Sequence, residues 1–67
     1  MMQTITVGSV TYAQKARRIL ASEGIGARLV KVSSRRDGCI YGVEIDESRH
    51  LEAVAILDRF GLYKRER

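Results

Sequence analysis

The fold is decided by seven consecutive residues, Cys39-Ile40-Tyr41-Gly42-Val43-Glu44-Ile45. Their side chains alternate in character, and a period of two residues is typical of a strand whose two faces meet different surroundings. The odd-numbered residues of the stretch lie on one face of this strand, and the even-numbered residues lie on the other. We therefore predict a strand over residues 39–45 at the centre of a small sheet.

A polar segment and another strand precede this stretch. Residues 33–38 are all polar or glycine, which predicts a loop. Residues 26–32 alternate again, with Ala27 and Leu29 on one face and Arg28, Val30 and Val32 on the other. Because a short loop joins the two strands, we expect them to pair as an antiparallel hairpin.

The N-terminal part of the chain predicts a strand followed by a helix. Residues 3–8 alternate, and the segment behind them begins with helix-start signals. Thr11 and Gln14 fit a capping box, in which a hydroxyl N-cap is followed by glutamine three residues later, and Ser9 is the alternative cap. Gly24 marks the end of this helix. Its apolar stripe comprises Ala13, Ala16, Ile19 and Leu20.

A second helix is predicted after residue 45. Asp46 or Ser48 is its N-cap, and Gly61 ends it. The helix should run to about Phe60. Its predicted buried face comprises Ala53, Val54, Leu57 and Phe60.

The predicted order is therefore βαββα, an α+β fold. A right-handed crossover through the first helix makes the first two strands parallel, and the sheet order is then 2-3-1. With both helices on one face, this is a ferredoxin-like plait that lacks its last strand. We predict a single domain over residues 3–62 and a charged C-terminal tail over 63–67. The open edge of the first strand should pair with a second copy as a homodimer or be covered by the tail.

Composition limits the classes of function. The chain has 67 residues, a 45% apolar content and a net charge of +4. Its single cysteine excludes an internal disulfide and a cysteine-rich zinc site. With no secretory signal, no membrane-length apolar stretch and an unpaired thiol, we expect a cytoplasmic protein without a membrane partner. The charge allows an anionic partner but does not require one, and nucleic acid is not the expected partner, because a basic balance often serves solubility alone.

Cys39 is the candidate functional residue. The predicted topology brings the start of the third strand to the end of the sheet where the first helix begins, close to Ser9 and Thr11. Unpaired N–H groups at a helix start favour an anion, and the thiolate is the reactive form of cysteine. Arg36 would add positive charge, and Gly38 would leave room for a partner, so we expect Cys39 to be at least partly exposed. The alternative is that Cys39 is a small buried apolar residue.

Other candidates are weaker. The one histidine, His50, should lie far from Cys39, at the opposite end of the third strand, so a Cys–His catalytic pair is not expected. Tyr12 and Tyr41 could flank a ligand, but we interpret them as packing residues. Lys15, Arg17 and Arg18 are most simply a solvated helix face. We predict no enzymatic activity, no cofactor and no metal site.

Three segments resemble the selenium/sulfur carrier-like family, a group of short bacterial domains of largely unknown function. They are Val7-Gly8-Ser9-Val10-Thr11-Tyr12-Ala13-Gln14-Lys15-Ala16, Leu20-Ala21-Ser22-Glu23-Gly24-Ile25 and Gly38-Cys39-Ile40-Tyr41-Gly42-Val43. The resemblance covers about residues 3–62. Many members have glycine directly after the cysteine, whereas here Ile40 follows and Gly38 precedes.

The resemblance implies that Cys39 carries sulfur or selenium received from a donor protein such as a cysteine desulfurase. Ser9, Thr11, Gly38 and Arg36 would support the site. The alternative function is a small basic adaptor that binds protein or nucleic acid, with Cys39 structural. The adaptor would need one continuous surface formed by Lys15, Arg17, Arg18, Arg28 and Arg36.

Overall fold

The computed structural model describes residues 1–36 and 38–63. The elements follow in the order β1 (Met2–Gly8), α1 (Val10–Ser22), β2 (Arg28–Arg35), β3 (Gly38–Asp46), a 3-10 turn (Glu47–Arg49) and α2 (His50–Arg59). This confirms the predicted βαββα order. The residues beyond Tyr63, which include nearly all of the predicted tail, lie outside the described residues, and Tyr63 itself packs against the core.

The three strands form one sheet in the order β1-β3-β2, and β3 pairs antiparallel with both neighbours. β1 and β2 therefore run in the same direction, as predicted. The predicted boundary of β2 is wrong: the strand continues through Ser33 and Ser34 to Arg35, where a loop was expected. Pairing with residues 38–40 of β3 satisfies the backbone there, so the polarity of the side chains does not end the strand.

The core consists of alternate residues of β1 and β3 together with the apolar stripes of both helices. Val43 and Ile45 are completely buried, whereas Thr4 and Thr6 on the other parity of β1 are exposed. The odd-numbered face of β3 is thus the covered one. The remaining fully or nearly buried residues are Ile5, Val7, Ala13, Ala16, Leu20, Ile25, Ala53, Ile56, Leu57 and Leu62.

Helix α1 begins two residues earlier than the preferred prediction. Ser9 is its N-cap, in an extended conformation, and its hydroxyl accepts a hydrogen bond from the Tyr12 amide at 3.3 Å. Thr11 lies inside the first turn, so its assignment as the cap is wrong and the alternative, Ser9, is right. Asp46 caps the 3-10 turn that leads into α2, because its carboxylate accepts from the Ser48 amide at 3.1 Å.

Both helices end in the same way. Gly24 (φ +80°) and Gly61 (φ +71°) occupy the left-handed region, in agreement with their predicted role. The next residue donates its amide back to the helix: Ile25 to the Leu20 carbonyl at 2.8 Å, and Leu62 to the Leu57 carbonyl at 2.9 Å. This is the Schellman pattern, in which the residue after the glycine makes the apolar contact.

The Schellman turn also corrects the predicted buried face of α2. Phe60 was expected in the core but is 56% exposed, because it is the C-cap and Leu62 supplies the apolar contact instead. Ile56 is buried, although the sequence prediction did not include it. Ala53, Ile56 and Leu57 form the buried stripe at helical spacing, with Val54 partly buried beside it.

Candidate functional site: the Cys39 end of the sheet

Two strand irregularities shape the end of the sheet where β3 begins. On β1, the pairing shifts between Thr6 and Gly8, so that Gly8 lies opposite Tyr41. On β2, it shifts between Lys31, also opposite Tyr41, and Ser33. Each shift inserts one extra residue into an edge strand, as in a β-bulge. β3 is therefore flanked by bulges on both sides, just beyond Cys39.

The bulge on β2 decides which hydroxyl meets the thiol. Without the extra residue, the antiparallel register that pairs Lys31 with Tyr41 would pair Ser33 with Cys39. With the extra residue, Ser34 is the partner of Cys39, and directly opposed residues point to the same face. The Ser34 hydroxyl and the Cys39 sulfur are accordingly 3.7 Å apart, a hydrogen bond in which either atom can be the donor.

Cys39 is partly exposed and is not a member of the buried core. It shares its parity with Tyr41, Val43 and Ile45, which pack increasingly deeply along β3. The thiol therefore lies at the rim of the covered face, where the core gives way to solvent. The expectation of at least partial exposure is confirmed.

Gly38 precedes the thiol with a φ of +138°, a conformation that side chains rarely adopt. A Cβ built there would have no atom within 4 Å. The backbone beside Cys39 is thus constrained in conformation but open in space, which agrees with the room predicted at this position. Arg36 lies in the turn between β2 and β3 and is exposed.

The helix start lies towards the same end of the sheet. Gly8 pairs with Tyr41, which lies two residues after Cys39 on β3. Ser9 directly follows Gly8 in the chain, so it also lies towards this end of the sheet. Ser9 and Thr11 are both exposed, and the Ser9 hydroxyl is used to cap α1. Contact between Cys39 and the Ser9–Thr11 turn stays a prediction. Ser34 is the supporting residue that sequence reasoning missed, because its position depends on a bulge.

The basic side chains divide into separate groups. Arg17 and Arg18 border one shallow depression on α1, together with Gln14 and Ala21. Lys15 borders a different groove. Arg28 lies on β2 and forms an ion pair with Glu44, 2.9 Å long, on the even-numbered face of β3. The single continuous surface that the adaptor hypothesis requires stays a prediction.

His50 begins α2, beyond the opposite end of β3 from Cys39. Within residues 1–36 and 38–63, no group of three or more histidine, cysteine or acidic side chains is placed to hold a metal ion. No helix in this part of the chain is long and apolar enough to cross a membrane.

Comparison of the chain with protein-family models, with curated proteins and with solved structures finds no significant match. The functional argument therefore depends on the geometry at Cys39 and on the residues around it.

Proposed function

We propose that this chain is a single-thiol carrier of sulfur or selenium, with Cys39 as the acceptor. The observation that carries the proposal is the partly exposed Cys39 sulfur with the Ser34 hydroxyl 3.7 Å away. A hydroxyl at that position can donate to a thiolate and can also accept from a persulfide. Gly38 adds an open approach beside the sulfur.

The transfer step needs only one thiol on this chain. The Cys39 thiolate attacks the outer sulfur of a persulfide on the donor, such as a cysteine desulfurase. A sulfur–sulfur bond to Cys39 forms, the sulfur–sulfur bond of the donor breaks, and its electron pair leaves on the donor cysteine as a thiolate. Atoms and electrons balance without a cofactor, and selenium would follow the same path.

The proposal includes the finer expectations drawn from the sequence. The chain would be a carrier and not an enzyme, in the cytoplasm, with a fold that is a ferredoxin-like plait lacking its last strand and with both helices on one face. The likeness of the Gly38–Val43 segment to the selenium/sulfur carrier-like family supports this assignment. Arg36, Ser9 and Thr11 stay proposed supporting residues beside Ser34.

The experiment is to load the folded protein with a small persulfide, such as glutathione persulfide, and to measure its intact mass. The proposal expects a gain of one sulfur atom that a reductant removes, and no gain in the Cys39→Ser variant. The matched variant Ser34→Ala should load more slowly while remaining folded. If the folded wild-type protein gains no sulfur although the unfolded protein does, the carrier proposal is wrong.

A further inference from the structure

The exposure of Phe60 creates a groove that the thiol chemistry does not use. Residues from the first turn of α1 form one wall, and the Schellman turn after α2 forms the other. The groove encloses about 320 Å³, and its lining residues are Val7, Tyr12, Lys15, Phe60, Gly61 and Leu62. Val7 and Leu62 are buried, so they form an apolar floor.

Two exposed aromatic side chains border the groove beside this apolar floor. Tyr12 is 55% exposed and Phe60 is 56% exposed. Both were interpreted from the sequence as packing residues, and both are instead on the surface. Exposed aromatic rings bordering one groove offer flat apolar faces to a ligand that has flat faces of its own.

The charge of the groove is positive. Lys15 lies three residues after Tyr12, so the two side chains share a face of α1. No carboxylate lines the groove among the described residues, and the α1 sequence contains no acidic residue at all. The chain as a whole carries a net charge of +4. An anionic occupant is therefore favoured over a neutral or cationic one.

From the combination of aromatic faces with a cation, we propose that the groove binds single-stranded nucleic acid. One or two bases would stack on Tyr12 and Phe60, and Lys15 would contact the phosphate backbone. Grooves of this composition bind single strands with little sequence preference, because every base has a face that can stack. The inference is independent of the chemistry at Cys39. Charge alone did not make nucleic acid the expected partner; the exposed aromatic side chains beside Lys15 are the added observation.

The test is the binding of a fluorescein-labelled twelve-nucleotide oligo-dT to the full chain at low salt, followed by anisotropy. Phe60→Ala and Tyr12→Ala should each weaken binding by roughly five- to a hundredfold, the range found for loss of one stacking residue. Lys15→Gln should weaken binding and make the logarithmic salt slope shallower by about 0.7.

Matched controls separate stacking from general effects. Leu51→Ala removes another exposed apolar residue of α2, 83% exposed, and Lys31→Gln removes an exposed cation on β2; both should leave binding unchanged. Circular dichroism shows whether each variant is folded. The intrinsic tyrosine fluorescence of the wild-type protein should fall on binding, and should fall less in Tyr12→Ala.

Three results would overturn the inference. The first is the absence of oligo-dT binding at low salt. The second is binding that Lys31→Gln weakens as much as Lys15→Gln does while Phe60→Ala and Tyr12→Ala leave it unchanged, since that pattern is diffuse charge attraction. The third is selective binding of an acidic peptide with a central phenylalanine, lost in Phe60→Ala, when oligo-dT does not bind.

Discussion

The two ends of β3 differ in what their polar residues contact. At the Asp46 end, polar groups are engaged in local structure. The Asp46 carboxylate accepts from both the amide and the hydroxyl of Ser48, and the Glu47 amide donates to the Met1 carbonyl at 2.9 Å. At the Cys39 end, the Ser34 hydroxyl contacts the Cys39 sulfur, Arg36 in the adjoining turn is exposed, and the space beside Gly38 is open.

The two ends also differ in how regularly their strands pair. The Asp46 end is regular in pairing and serves to start the 3-10 turn and α2. The Cys39 end has bulges on both neighbouring strands, and bulges re-aim side chains at the price of regular pairing. The carrier proposal places the reactive group at the irregular end, and the following predictions test that contrast in order of decreasing effect.

The largest effect is expected for Gly42→Ala, at the border between the regular and bulged halves of β3. A Cβ there would lie closer to the Ile5 carbonyl oxygen than van der Waals contact allows, and 3.1 Å from the Val32 Cγ2 atom. We expect a loss of about 3 kcal/mol in the free energy of unfolding. Urea denaturation measures it.

Gly26→Ala is the matched control for Gly42→Ala. A Cβ at Gly26 would have no atom within 4 Å, and its φ is not in the left-handed region. We expect a change within about 0.5 kcal/mol, typical of an unconstrained surface position. Equal stability of the two variants would show that β1 and β3 are not held as closely as described.

A smaller loss is expected for Gly38→Ala, because the φ of +138° is strained for any residue with a Cβ although space is free. The cost should be about 1 to 2 kcal/mol in the free energy of unfolding. The same variant should also slow loading of Cys39, since the strain is relieved by moving the backbone next to the sulfur. If the Gly38→Ala protein were as stable and as reactive as the wild type, the proposed role of Gly38 would be wrong.

Ser34→Ala should change reactivity more than stability. Loss of a hydroxyl that donates to the thiolate should slow alkylation of Cys39 by iodoacetamide about two- to threefold at neutral pH, which corresponds to roughly 0.5 kcal/mol. Ser33→Ala is the matched control, because the bulge pairs Ser33 with Ile40 instead. If Ser33→Ala slows alkylation and Ser34→Ala does not, the strand register is wrong.

The smallest effect concerns the opposite end of β3. Hydrogen bonds from the Ser48 side chain and then from the Ser48 amide lower the pKa of Asp46. A lowered folded-state pKa gives stability that is present above the unfolded value of about 3.9 and is lost as pH falls through the lower folded value.

The free energy of unfolding of the wild-type protein should therefore exceed that of Asp46→Asn at neutral pH. The difference should shrink as pH is lowered from about 5 towards 2. Thermal unfolding at several pH values measures this difference. A difference that grows on acidification would contradict the proposed cap.

Sequence reasoning succeeded where side-chain pattern alone decides the structure. The alternation of Val43 and Ile45, the spacing of Ala13 and Ala16, and the terminating glycines gave the element order and the sheet order. It failed where the answer depends on tertiary pairing. Polar Ser33 and Ser34 lie in a strand because β3 pairs with them.

The candidate site shows the same contrast between features that side-chain pattern predicts and features that depend on strand pairing. The partial exposure of Cys39 and the open space beside Gly38 agree with what these residue types predict. Ser34 could not be predicted, because simple alternation places Ser33 opposite the thiol and only the bulge shifts the pairing by one residue. Phe60 could not be placed either, because helical spacing puts it on the buried face of α2, whereas in the Schellman turn Phe60 is the C-cap and Leu62 makes the apolar contact.

The carrier proposal requires Cys39 to be an accessible thiol in the folded domain, and its rate of alkylation with and without denaturant measures that accessibility. We expect iodoacetamide to modify Cys39 in the folded protein at a rate within about tenfold of that in the unfolded chain, as for a partly exposed thiol. Modification that occurs only at the rate of global unfolding would contradict it, and Cys39 would then be a structural residue.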